Sequence, residues 1–461
     1  MIRRYLKRIS SFDRIVISVI FLVFFVFFSH PDLWETANHS YIFLQSLFSG
    51  KALSFYGIVA EHSNSFYYLN GANYNIFIYL IFSLALLPVF LLGKIFPVLV
   101  NEYLFIYFAK AVSLYFFLAC AVKLEEICEG LGMSDGDSLN ASLFFLLNPL
   151  SFYSCLIMGQ YDSIGLFFLL AGLSRYLKKD MKKAMIYMGI STVCKFFALL
   201  VIIPLVFYAE KKLVKAAGYL LLSLWLYIPT TLLFLGRTAG SGSFTALMIE
   251  RLFRTELPNG FAGVSLFLTV YAVIVFLSYI ASSDDLGSVI YRIPLAVYGA
   301  LFLTITWHPQ WLIMLVPFML LSIYEKSSMV RFPWMILLAI QSLGFFLMSY
   351  IHYPYGASAA LFDGGVLHHV FGIYYSIIPD HVTLSHFMSL VPYLIDLAPV
   401  MFTGSTALLM MSALKTFPVR ISRDFDVLND KVCMYLVFAF GILGVWFLPS
   451  LLEWMNGLML I

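Results

Sequence analysis

The chain has 461 residues, of which 62% are hydrophobic and 11% charged, with a net charge of +3 and a mean hydropathy of +0.91. A water-soluble domain could not keep that much apolar surface from solvent, so the composition excludes one and implies an all-α, polytopic transmembrane helical bundle. The sum of charge says little; its distribution along the chain sets orientation.

Arg3, Arg4, Lys7 and Arg8 precede the first apolar run, 15–29, which no small-residue cleavage site follows, so it reads as a retained anchor with a cytoplasmic N-terminus. The stretch His30–Gly50 carries Asp32 and Glu35 where the chain leaves the membrane. Beyond them Tyr41, Ile42, Leu44, Leu47 and Phe48 recur at roughly helical spacing, which reads as an amphipathic surface helix.

Further apolar runs fall at 74–93, 103–122, 140–158, 163–177, 184–208, 217–236, 262–281, 289–307, 312–324, 333–351, 389–414 and 432–451. Basic residues at 175–183, 211–215 and 415–431 mark the cytoplasmic side. For 178–183 to lie inside, one earlier run must not cross, and 74–93 is chosen as part of the first outer loop, 30–102, either lying in the interface or re-entering. The run 184–208 has basic clusters at both ends, so it crosses an even number of times. A pair of short helices turning near Lys195 answers this; one long helix inside the bundle is the alternative. These assignments give about thirteen crossings, with outer loops at 30–102, 237–261 and 352–388 and every histidine outside. The five cysteines are scattered, without disulfide or CxxC spacing.

Several constellations carry chemistry. A single carboxylate such as Asp32 or Glu35 suffices as base in an inverting glycosyl transfer, because a phosphate leaving group needs no acid; the same residues also suit a helix N-terminus. Asn148-Pro149 followed by Gly159-Gln160-Tyr161-Asp162 sets an amide and a carboxylate at an outer turn, with an ordinary turn as the other reading. Lys195, inside an apolar run, suits a lipid phosphate or an internal ion pair with Asp162. Lys110 is a similar case, either snorkelling or paired. Trp307-His308-Pro309-Gln310-Trp311 offers aromatic faces and polar groups to a sugar ring and a donor to a phosphate, or is an aromatic-belt turn. Arg237 is a further phosphate candidate. The loop with His352, Asp363, His368, His369, Asp380, His381 and His386 lacks the i,i+4 spacing of a helix-borne zinc site.

Taken together, these features resemble the GT-C superfamily of membrane glycosyltransferases. The resemblance rests on the acidic first loop with its helix ending Leu47-Phe48-Ser49-Gly50, NPLSFYSCLIMGQYDSIGLFFLLAGL (Asn148–Leu173), GISTVCKFFALLVIIPLVF (Gly189–Phe207) and HPQWLIMLVPFML (His308–Leu320). It spans residues 1–325, leaving 326–461 as a variable C-terminal set of helices. It implies an inverting transfer at the extracytoplasmic face of a bacterial cell membrane, from a polyprenyl-phosphate sugar to a lipid-linked or cell-surface glycan. Asp32 or Glu35 would be the base. The resemblance puts Asp162 in support and Lys195 with His308 near the donor phosphate; the residue readings above add Gln160, Arg237, Gln310 and Trp311 as substrate-binding candidates. No metal or other cofactor is expected, since most of the superfamily needs none, and nucleic acid is no partner. Two departures stand: the acidic pair is spaced Asp32-Leu33-Trp34-Glu35, and Phe196 replaces the usual proline after the central lysine.

Two other classes compete. A secondary transporter or lipid flippase would show matching halves and broken helices at mid-membrane. A polysaccharide polymerase or ligase would rest on outer-loop arginines, here Arg237, Arg251 and Arg254.

Overall fold

A computed structural model describes residues 2–28, 30–61, 71–96, 102–235, 249–253, 256–258, 263–282, 285–352, 392–414 and 429–443. The described residues are helical apart from turns and a short antiparallel hairpin, β1 (Glu256–Pro258) and β2 (Gly263–Ser265). The all-α expectation holds, and the chain is an integral membrane protein. The loop 352–388 and Arg237 lie outside the described residues, apart from the first residue of that loop, His352.

Three described helices are long and apolar enough to cross a membrane, and up to five if two bent pairs each count as one span. They include Ile76–Ile95, which covers the run expected to stay in the interface. Its outward side shows Leu80, Leu84, Leu91 and Ile95. An in-plane helix would put a polar face there, so this helix has the character of a span.

The chain packs as two compact units that do not follow a boundary at 325, because helices distant in sequence share cores. Unit one holds Met1–His30, Leu124–Met158 and His308–Ile461. Its helices are α1 (Ile2–Arg8), α2 (Ser11–Phe27) and, in its middle segment, α7 (Asp135–Leu147) and α8 (Pro149–Phe152). Its last segment holds α16 (Val316–Tyr324), α17 (Phe332–His352), α18 (Pro392–Ala413) and α19 (Asp430–Phe438). Asn148 ends α7 in an extended conformation, Pro149 opens α8, and the Asn148 side chain accepts from Leu150 N–H. The pair bends by 50° at that point. Phe152 packs edge-on against Phe24 at 4.8 Å and Phe438 at 5.0 Å. Arg331 joins Asp137 at 2.5 Å and Asp430 at 2.9 Å.

Unit two holds Pro31–Lys123 and Gly159–Trp307. Its first segment contains α3 (Pro31–Phe48), α4 (Phe55–Glu61), α5 (Ile76–Ile95) and most of α6 (Glu102–Gly130). Its second contains α9 (Asp162–Leu177), α10 (Met181–Cys194), α11 (Phe197–Ala209), α12 (Leu213–Leu222) and α13 (Tyr227–Leu233), then α14 (Leu266–Ile280) and α15 (Leu286–Thr304). Leu33, Trp34, Ala37 and Leu44 of α3 share a core with Ile78, Phe82 and Leu86 of α5 and with Ile106 and Ala109 of α6. Ser83 Oγ donates to Ser40 O at 2.8 Å. Thr36, His39 and Ser40 of α3 face this interior while Leu47 and Phe48 are exposed. The apolar end of α3 therefore faces outward, as a helix at a lipid boundary requires.

The run 184–208 is a pair of short helices, as the basic clusters at its ends demanded. α10 stops at Cys194, Lys195 is extended at φ −150°, and α11 restarts at Phe197. One long helix is ruled out. Glycines set how closely α10 lies on α9: a Cβ on Gly172 would stand 2.5 Å from Met188 Cγ, and one on Gly165 would stand 3.2 Å from Lys195 Cβ. Small residues at such points let two backbones approach.

Candidate active site

The polar centre of unit two is built from four segments. The first is the opening of α3. Asp32 and Glu35 stand one turn apart on the same side of the helix, both half-buried. A carboxylate in the first turn is favoured there by the helix dipole.

The second segment is the turn Gly159–Asp162. Gly159 has φ +67°, and a Cβ there would meet Leu33 Cδ2 at 2.6 Å. Only glycine fits both that backbone and that contact. Ser113 Oγ of α6 donates to Gly159 O at 2.6 Å. Held this way, the turn aims Gln160, 2% exposed, at α3. Its Nε2 donates to Asp32 Oδ2 at 2.8 Å.

The third segment is the break at Lys195. Its Nζ lies 2.5 Å from Asp162 Oδ1, with the side chains 5% and 1% exposed. The ammonium also lies 5.0 Å from the centre of the Tyr161 ring. Asp162 Oδ2 has no hydrogen-bond partner among the described residues. The ion-pair reading of Lys195 thus holds, and the pair sits within the site rather than apart from it. Lys110 is fully buried in α6, so it does not snorkel.

The fourth segment, 71–75, escaped the sequence reading. Tyr74 meets Tyr161 at 4.6 Å between ring centres. The charges of Asp32, Asp162 and Glu35 all act on the Tyr74 hydroxyl. One tyrosine therefore senses every carboxylate of the site. The signal in the sequence is slight: no spacing ties Tyr74 to Asp32.

The site as expected is only partly assembled in unit two. Asp32, Glu35, Gln160, Asp162 and Lys195 come together there. His308, Gln310 and Trp311 belong to unit one. Pro309 starts a tight helical turn at once, Pro309–Met314, so the polar triplet is not an open loop. Trp311 is 2% exposed and packs into the interior of unit one rather than standing at an edge. Gln310 accepts at its carbonyl from Ser154 Oγ at 3.0 Å, and its Oε1 is buried without a partner among the described residues. No group of three or more His, Cys, Asp or Glu side chains converges as a metal site among the described residues.

Fold and site together define a polytopic α-helical membrane protein with a carboxylate–amide–lysine centre. No family model and no curated protein matches the chain. Among solved structures the chain is similar to the crystal structure of ArnT from Cupriavidus metallidurans bound to undecaprenyl phosphate. Identity is 14% over 87% of this chain and 76% of that chain, with a TM-score of 0.44.

Proposed function

We propose that the chain is an inverting glycosyltransferase that moves a sugar from a polyprenyl phosphate to a lipid-linked or cell-surface glycan. The observation that carries this reading is the hydrogen bond from Gln160 to Asp32. It engages Oδ2 and fixes the carboxylate's orientation. Such a held carboxylate is what a general base needs.

Asp32 takes the proton from the acceptor hydroxyl as its oxygen attacks the anomeric carbon on the face opposite the phosphate. The bond to phosphate breaks, the polyprenyl phosphate leaves as a stable anion, and the configuration inverts. Glu35, one turn along α3, is the alternative base. Lys195, steadied by Asp162, acts as a point charge beside the leaving phosphate. The site would face the extracytoplasmic side, with the N-terminus in the cytoplasm.

The test is transfer of radiolabelled sugar from a panel of polyprenyl-phosphate sugars, in membranes holding the wild type or Asp32→Asn. Transfer by the wild type alone supports the class and the base and names the donor. No transfer from any donor, with folded protein and acceptor-rich extract, sinks the reading in favour of a transporter or polymerase.

A further inference from the structure

A partly open cavity of about 90 Å³ lies against the break between α10 and α11. At ~10–15 Å³ per water that is room for about six to nine waters, the scale of a single sugar ring. Thr192, Val193, Cys194 and Lys195 form one wall. A helix end leaves the carbonyls of its last turn outside the hydrogen-bond ladder, so this wall is rich in acceptors. Asn73, Tyr74, Tyr161 and Tyr227 are among the other residues that line it.

Two features of the lining set the chemistry of its occupant. Carbonyls, a threonine hydroxyl and an amide together offer both acceptors and donors, and a sugar hydroxyl is both at once. The charge of the lining is the second. Among the described residues no aspartate or glutamate lines the cavity. Its one cation, Lys195, already faces Asp162 at 2.5 Å. An ammonium-bearing sugar would find no counter-ion and would meet Lys195. A sugar carboxylate would have to share Lys195 with both Asp162 and the donor phosphate. Burying either charge unpaired is costly.

We propose that this cavity holds the sugar ring of the donor, and that the ring is an uncharged pyranose rather than an amino sugar or a uronic acid. The assignment rests on the glycosyltransferase reading and adds the class of sugar and the residues that select it. Tyr74 links the two places, since it lines the cavity and feels Asp32.

The experiment titrates the full chain in lipid nanodiscs with four probes. They are citronellyl phosphate alone and the same lipid carrying a neutral hexose, an amino sugar or a uronic acid. The neutral conjugate should bind at least tenfold tighter than the bare phosphate. Asn73→Ala and Thr192→Val should each remove most of that gain and leave bare-phosphate affinity unchanged, which also shows that the variants fold. Tightest binding by the amino sugar or the uronic acid overturns the proposal. So does an equal affinity for all four probes, or a gain that both variants keep. If none of the four binds to folded wild type, the glycosyltransferase reading fails and the subsite with it. Binding of the bare phosphate with no gain from any sugar overturns the subsite alone.

Discussion

Lys195 Nζ stands 2.5 Å from Asp162 Oδ1 in the interior of unit two, where the two side chains are 5% and 1% exposed. Removing one partner of a buried pair leaves an uncompensated charge and costs about 3–5 kcal/mol, whereas replacing both by apolar groups of similar size is often neutral. Lys195→Ala or Asp162→Ala should each lower the unfolding midpoint in detergent by several degrees. The double variant Lys195→Met/Asp162→Leu should recover most of that loss yet still fail to bind a polyprenyl phosphate. A double variant with wild-type phosphate affinity would remove Lys195 from the donor site.

A base acts in the transition state and not in ground-state binding. Asp32→Asn should therefore cut kcat by about 10²–10⁴-fold with donor KM nearly unchanged. Glu35→Gln made in parallel decides between the two carboxylates. Full activity in both variants would rule out the base assignment.

Gln160 touches Asp32 and not, in this reading, the reacting atoms, so it is a positioning residue. Gln160→Ala should lower kcat about tenfold with little change in KM, by analogy with the loss of one hydrogen bond to a charged group. Gln160→Asn, too short to reach, should behave like the alanine variant. A merely structural role would lower the unfolding midpoint and leave the kcat of the folded fraction unchanged.

The contrast between Gly172 and Gly218 tests the α9–α10 packing. A Cβ at Gly172 would stand 2.5 Å from Met188 Cγ and 3.1 Å from Ala184 O, while one at Gly218 in α12 meets nothing within 4 Å. Gly172→Ala should destabilise by about 1–3 kcal/mol. Gly218→Ala should be neutral or slightly stabilising, since alanine is the better helix former. Thermal unfolding in one detergent compares them directly.

Asp13 sits in the first turn of α2, ahead of the apolar run 15–29. Burial pushes its pKa up, but hydrogen bonds from Lys431, Ser10 and Tyr435 outweigh this and hold the carboxyl below its usual range. A depressed folded pKa means that the stabilisation is fully present above the unfolded value of about 3.9 and fades as pH falls through the folded one. Asp13→Asn should lower the midpoint at pH 7 and flatten its fall below about pH 4. An unchanged acid limb would show that the pair contributes nothing to acid stability.

What could be read in the sequence was what charge and length constrain. The all-α class followed from composition, and the break at Lys195 followed from basic clusters at both ends of a run too short to cross twice as full spans. The Asp162–Lys195 pair was one of two readings because few partners exist for a cation in apolar surroundings. The Gln160–Asp32 bond spans 128 residues, and no local pattern announces such a contact. Tyr74 was hidden for the same reason. Ile76–Ile95 has the length and composition of a span, whereas parity counting set it aside; that counting treats every apolar run as a full crossing, and the chain bends by 50° at Asn148. Trp311 looked like an edge residue because Pro309 was read as a turn rather than as the start of a helix.

The contact between Lys431 and Asp13, 2.7 Å long, joins positions 418 residues apart. At ~5–20 residues per second of synthesis, Asp13 waits about 20–80 s for its lysine. During that interval, among the described residues that bond its carboxylate, the foot of α2 has Ser10, 2.7 Å away, while Lys431 and Tyr435 are still to come. Closure of unit one is thus a late event of biogenesis, and a ribosome stalled before α19 would leave α2 inserted but unlatched.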